Sequence, residues 1–79
     1  MNTQLANRIV ADSAVLAGKP TVRGLRISVE QVIRALSNGV PEAELLSDYP
    51  DLEADDLKAC LAYAADLVAD ERVYPIARS

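Results

Sequence analysis

The chain contains no histidine, no tryptophan and no phenylalanine, and it has a single cysteine, Cys60, in 79 residues. Each absence removes a class of function. A lone cysteine cannot close an intrachain disulfide, and without histidine there is no Cys/His set to hold zinc. The imidazole general base and the Ser/His or Cys/His nucleophile pairs are missing as well. No stretch approaches the roughly 18 apolar residues of a membrane span, and the first residues lack the apolar run of a signal peptide. The expected location is therefore the cytoplasm. The aromatics are Tyr49, Tyr63 and Tyr74 alone. The core must be built from Leu, Val, Ile and Ala, and a domain of this size buries only about 60% of its unfolded surface. Such a thin core predicts a single domain over residues 1–79 that gains from a homodimer or another partner.

The formal net charge is −4, unevenly placed. Residues 1–40 carry five basic side chains against two acids, a net of +3, and residues 41–79 carry three against ten, a net of −7. Two halves of opposite sign suggest two different partners, or acids that merely solvate helix faces.

Residues 1–7 show no apolar pattern and are expected to fray. From Arg8 to Ile27, short β-prone runs such as Ile9-Val10-Ala11 and Thr21-Val22 alternate with Asp-Ser, Gly and Pro turn signals, which predicts a β-ribbon over residues 8–27. Such a ribbon is marginal alone and must pack on something. At Ser28 the period changes. Val29, Val32, Ile33 and Leu36 fall on one helical stripe, Ser28 and Gln31 form a capping box, and Gly39 supplies the stop, giving a helix near residues 29–38. A short helix follows near 41–47, opened by Pro41 and closed before Pro50. A third, Ala-rich helix opens among Asp51, Glu53, Asp55 and Asp56, carries Leu57, Cys60, Leu61, Ala64, Leu67 and Val68 as its stripe, and runs to about Glu71. The helical part thus spans 28–72, with a tail at 73–79 that either docks on a neighbour as an extended segment or stays loose. The fold class expected is mainly α: a three-helix bundle of helix-turn-helix shape behind a short N-terminal β-ribbon.

Specific together are Gly18-Lys19-Pro20-Thr21-Val22-Arg23-Gly24-Leu25-Arg26-Ile27-Ser28-Val29, the helix end Leu36-Ser37-Asn38-Gly39, the segment Glu42 to Leu46, Asp48-Tyr49-Pro50-Asp51-Leu52, and Asp56-Leu57 followed by Ala59 and Leu61-Ala62-Tyr63-Ala64. In this order they resemble the domain of unknown function 433 family (DUF433) over about residues 8–67. The resemblance implies a homeodomain-like helix-turn-helix behind a ribbon. It also implies a VapB-type antitoxin that neutralises a PIN-like ribonuclease toxin and binds operator DNA, alone or with the toxin. The chain departs from the family pattern at Pro41 and Glu53, where Ser or Thr caps are common.

Gly18 and Gly24 are expected to hold backbone conformations that a side chain forbids. Arg8, Lys19, Arg23, Arg26 and Arg34 are the candidate nucleic-acid or partner contacts. They either grip phosphates or pair with acids, of the same fold or of a partner, and Arg26 could instead cap helix carbonyls. Glu53, Asp55 and Asp56 are candidate contacts for a basic toxin. The same three acids make the third helix a poor DNA reader, since phosphate and base edges call for Lys, Arg, Asn or Gln. Asp55 and Asp56, about 100° apart on a helix, cannot face each other as a catalytic pair. The chain has neither a P-loop nor a dinucleotide fingerprint. No cofactor, no metal and no enzymatic activity are expected. The competing expectation is a free-standing helix-turn-helix transcriptional regulator.

Overall fold

A computed structural model describes residues 3–23 and 25–70. Gly24 and the 73–79 tail, for which a backbone role and a docking role were expected, lie outside the described residues. The fold is mainly helical, with one two-stranded antiparallel sheet near the N-terminus. A single turn of helix, α1 (Thr3–Ala6), precedes strand β1 (Ile9–Ala11). Strand β2 (Pro20–Val22) returns alongside it, in the register Ile9↔Val22, Val10↔Thr21 and Ala11↔Pro20. Three helices follow: α2 (Val29–Ser37), α3 (Glu42–Asp48) and α4 (Ala54–Asp70).

The N-terminal segment does not wholly fray. α1 packs against α4, and the Arg8 N–H donates to the Leu5 carbonyl at 3.0 Å as the turn ends. The loop joining the strands opens with an Asx turn, in which the Asp12 carboxylate accepts from the Ala14 N–H at 2.9 Å. It then winds left-handed through Leu16, Ala17 and Gly18, at φ 48°, 57° and 83°. Val15-Leu16, β-prone in isolation, is thus spent on a turn that costs about 1–2 kcal/mol for each non-glycine residue. Gly18 meets the expectation of a backbone that disfavours a side chain. Within the ribbon, Thr21 is fully buried and its hydroxyl donates to the Val10 carbonyl at 3.0 Å.

Both ends of α2 are set by local chemistry. The Ser28 hydroxyl accepts from the Gln31 N–H at 3.0 Å, and the Gln31 side chain accepts from the Ser28 N–H at 2.8 Å. At the other end Gly39 takes φ 87°, the Val40 N–H reaches back to Ala35 at 3.0 Å and the Gly39 N–H to Leu36 at 3.0 Å. That is a Schellman closure, and it satisfies two orphan carbonyls. In α3, Pro41 stands one place earlier than expected, at the cap, where its carbonyl accepts from the Leu45 N–H at 3.1 Å. The ribbon and the three long helices close over Val22, Ile27, Val29, Val32, Leu45, Leu52, Leu57 and Cys60. This core is aliphatic, as the absence of large aromatics requires.

Replacing Ser28 by Ala should lower stability by about 1 kcal/mol, because the N–H of Gln31 at the first turn of α2 loses its side-chain acceptor. The midpoint of a urea unfolding curve should fall with no change in slope.

Candidate functional site

The ribbon register puts Arg8 and Arg23 directly opposite each other, one pair beyond Ile9 and Val22, with the Arg23 N–H donating to the Arg8 carbonyl at 2.7 Å. Two like charges on one face of a ribbon repel. A carboxylate from α4 lies between them. Asp56 has no exposed surface, and all its hydrogen bonds run to fixed donors. Its Oδ1 accepts from Arg8 Nη1 at 2.9 Å and Arg23 Nε at 2.9 Å. Its Oδ2 accepts from Arg23 Nη2 at 2.8 Å and from the Glu53 backbone N–H at 2.8 Å. The Arg23 pair is a two-pronged fork, the geometry a guanidinium offers and an ammonium does not. The Glu53 bond is the return half of a capping box, with Asp56 as the third residue of α4 reaching back to the cap.

Arg23 is held there by its backbone. It takes φ 49° in a turn closed by the Leu25 N–H on the Val22 carbonyl at 2.7 Å, and its Nη2 also donates to the Asp51 carbonyl at 2.6 Å. A left-handed non-glycine residue persists only where its surroundings fix it. Arg8 bonds Glu53 at 2.8 Å in addition, and lies 3.8 Å from Asp55. The two arginines keep 24% and 34% of their side-chain surface exposed while the acid they share keeps none. Burial by itself pushes the Asp56 carboxyl up. The hydrogen bonds from Arg23, the Glu53 N–H and Arg8 outweigh it and hold the group below its ordinary value. Hydrogen bonding to Asp56 raises Arg23, and hydrogen bonding to Glu53 and then Asp56 raises Arg8.

The structure therefore separates the residues singled out in the sequence. Arg8, Arg23 and Asp56 turn toward one another: of the alternatives weighed for the arginines, pairing within the fold is the one realised. The buried Asp56 presents nothing for a toxin to touch. Lys19 and Arg34 share Glu30 on the surface at 3.3 and 2.9 Å, and together they hold its carboxyl below the usual range, Arg34 first and Lys19 next. Arg26 is exposed and makes no hydrogen bond or ion pair with the described residues. Glu53 and Asp55 remain at the surface. One signal for Asp56 was present in the sequence. Asp56, Cys60, Tyr63 and Leu67 fall at i, i+4, i+7 and i+11, which puts the acid on the inward face of α4.

Below Asp56 sits Cys60, fully buried. Burial first, and the Asp56 charge second, push its thiol up to about 11. It is a small apolar side chain here and not a nucleophile. Among the described residues, no group of three or more His, Cys, Asp or Glu could hold a metal, and no helix is long and apolar enough to cross a membrane.

The fold and this buried ion cluster define a small helical module whose ribbon is locked to its last helix. The chain belongs to the DUF433 family, a protein family of unknown function whose model matches residues 9–64. It is similar to the crystal structure of a DUF433 member protein from Anabaena variabilis, with 33% identity and a TM-score of 0.75 over 84% of this chain. This chain spans 65% of that protein's length. No curated protein matches.

Asp56→Asn should cost about 2–4 kcal/mol, because two guanidiniums lose the anion between them. That is a large part of the total for a domain of this size, about 4–12 kcal/mol. The pH dependence follows from the lowered carboxyl. The stabilisation is complete above the ordinary value of 3.8 and is lost as pH falls through the folded value below it. Acid titration of stability should show a limb below about pH 4 that flattens in Asp56→Asn. Cys60 in the native chain should resist alkylation at neutral pH and react at the rate of global unfolding, read by mass spectrometry under increasing urea.

Proposed function

We propose that this chain is an antitoxin-like binding module that holds a basic, RNA-cleaving partner of the PIN-like class, encoded beside it, and keeps RNA out of that partner's cleft. One observation carries the reading. With Asp56 withdrawn to serve Arg8 and Arg23, the surface of α3 and the start of α4 still exposes Glu42, Glu44, Asp48, Asp51, Glu53 and Asp55, with Lys58 as the basic residue among them. A nuclease surface that holds RNA is positive, and an acid-rich face is its electrostatic complement.

Operator DNA is the second contact in this proposal. In it, α2, α3 and α4 act as a homeodomain-like helix-turn-helix. The exposed Glu53 and Asp55 at the start of α4 would oppose phosphate, so Lys19, Arg26 and Arg34 are the DNA contacts. A free-standing regulator is the competing reading, and Arg26, exposed and without an ion pair among the described residues, is what favours it.

The test is co-purification of the chain with the product of its neighbouring gene, followed by a ribonuclease assay. The expected result is a stable complex with suppressed cleavage, weakened at least tenfold by Glu44→Lys with Asp55→Lys. Unchanged affinity in that double variant would remove the acidic face from the contact. Salt-dependent binding to upstream DNA by the chain alone, with no partner captured, would replace the antitoxin reading by the regulator.

A further inference from the structure

Two parts of the surface lack cover among the described residues. On the later turns of α4, Leu61, Leu67 and Val68 stand 47%, 53% and 63% exposed, a face that any apolar partner would satisfy. The outer edge of the ribbon is more selective. The far side of β2 is already occupied, since Thr21 bridges to Ser28 and the Val22 N–H donates to the Ile27 carbonyl at 3.1 Å. β1 is therefore the open edge. In an antiparallel pair, successive residues alternate between bonding the partner strand and facing away from it. The Arg23 N–H on the Arg8 carbonyl sets that alternation here. Val10 bonds toward Thr21, while the N–H and carbonyl groups of Ile9 and Ala11 point away from β2. Among the described residues nothing bonds them. Proteins usually blunt such an edge with a charge, a proline or a bulge. Ile9-Val10-Ala11 has none of these, and Val10 is 38% exposed.

We propose that a second copy of the chain pairs with this edge, β1 antiparallel to β1 about a twofold axis at Val10, so that two ribbons join into one sheet. Self-complementarity selects this occupant. The edge is three residues long, closed on one side by the turn of α1 and on the other by the Asx turn at Asp12. A longer foreign strand runs into both, whereas a second β1 has the same length and the same limits. Turned end for end, it brings Ala11 to Ile9 and Ile9 to Ala11, and every outward N–H meets a carbonyl. Sliding to the next register of the same parity, in either direction, leaves one residue of each copy unbonded. Val10 then meets its own counterpart as a non-hydrogen-bonded pair, with about 4.5 Å between the Cα atoms. Arg8 comes to lie opposite Asp12, so like charges do not face each other. Both side chains are already engaged within their own chain, so the backbone and not charge makes the choice. Each ribbon offers one open edge among the described residues, so the assembly closes at two copies. A ribbon that is marginal alone gains a wider sheet. The few backbone bonds put the contact at the small end of specific interfaces and its dissociation constant in the micromolar range.

This edge is separate from the acidic surface assigned above to a nuclease, and the two can fail independently. Sedimentation velocity of the full chain across about 5–500 µM should show the mass rising from one copy toward two. Val10→Lys sets two like charges against each other at the axis and should weaken the dimer at least tenfold, with the far-UV circular dichroism unchanged because Val10 is already exposed. Ala11→Pro removes an outward donor that β2 does not use and should do the same. Val10→Cys should give a disulfide-linked dimer on air oxidation, since only the twofold register brings that position against itself. Val68→Glu on α4 and the Glu44→Lys, Asp55→Lys pair should leave the dimer intact. If Ala11→Pro disturbs the ribbon, Val10→Lys decides. A chain that stays monomeric over the whole range overturns the proposal, whether or not the neighbouring gene product then binds at β1. So does a dimer insensitive to Val10→Lys, and so does one that Val68→Glu dissolves.

Discussion

Asp56 is a carboxylate without any exposed surface, placed where two cross-strand arginines would otherwise repel. Most of the architecture can be traced from that arrangement. The ribbon is too small to stand alone. It is tied to α4 through Arg8 and Arg23, to the α3–α4 loop through the Asp51 carbonyl, and to the head of α4 through Glu53. Desolvating a charge is expensive, and the cost is met only when each lone pair finds a donor. Here the donors come from residues flanking the two strands and from a helix cap, so the ion cluster also fixes how those three elements meet. A buried ion pair is weak evidence for net stability compared with an apolar substitute. Its effect here is to make the ribbon's position specific.

The same cluster changes the meaning of the charge asymmetry. A basic first half and an acidic second half suggest two faces for two partners. Much of that difference is instead consumed internally, where Arg8 and Arg23 meet Asp56, and Arg8 also meets Glu53. What remains outside is a modest cationic strip with its own acid, Glu30, and an acid-rich surface on α3 and the beginning of α4. The apolar imbalance lies elsewhere, on the later turns of α4. Electrostatics and hydrophobicity therefore leave two different surfaces open, at different places on the same helix.

How far the sequence could be read depended on the range of the forces involved. The helix at Val29–Ser37 was legible because Ser28, Gln31 and Gly39 act within a few residues of one another. The turn at Asp12 was legible for the same reason. Leu16 was not. β-propensity describes a residue fitting a pleated surface, and here the loop between two short strands needed a left-handed turn more than it needed another β residue. For Arg23 the sequence left phosphate, an acid of the same fold and a partner's acid all open, because nothing near it in the chain calls for an acid, and Asp56 was a candidate toxin contact because it sits among other acids. The pairs Arg8–Asp56 and Arg23–Asp56 are 48 and 33 residues apart in sequence.

The sequence by itself determined the helical character, the ends of α2, the aliphatic core and the family, since capping, periodicity and motif order are local properties. Tertiary structure alone decided which charges face inward. Whether a carboxylate stays in water or enters the core depends on donors being delivered to it in the right geometry, and only the closure of the ribbon onto α4 brings them there.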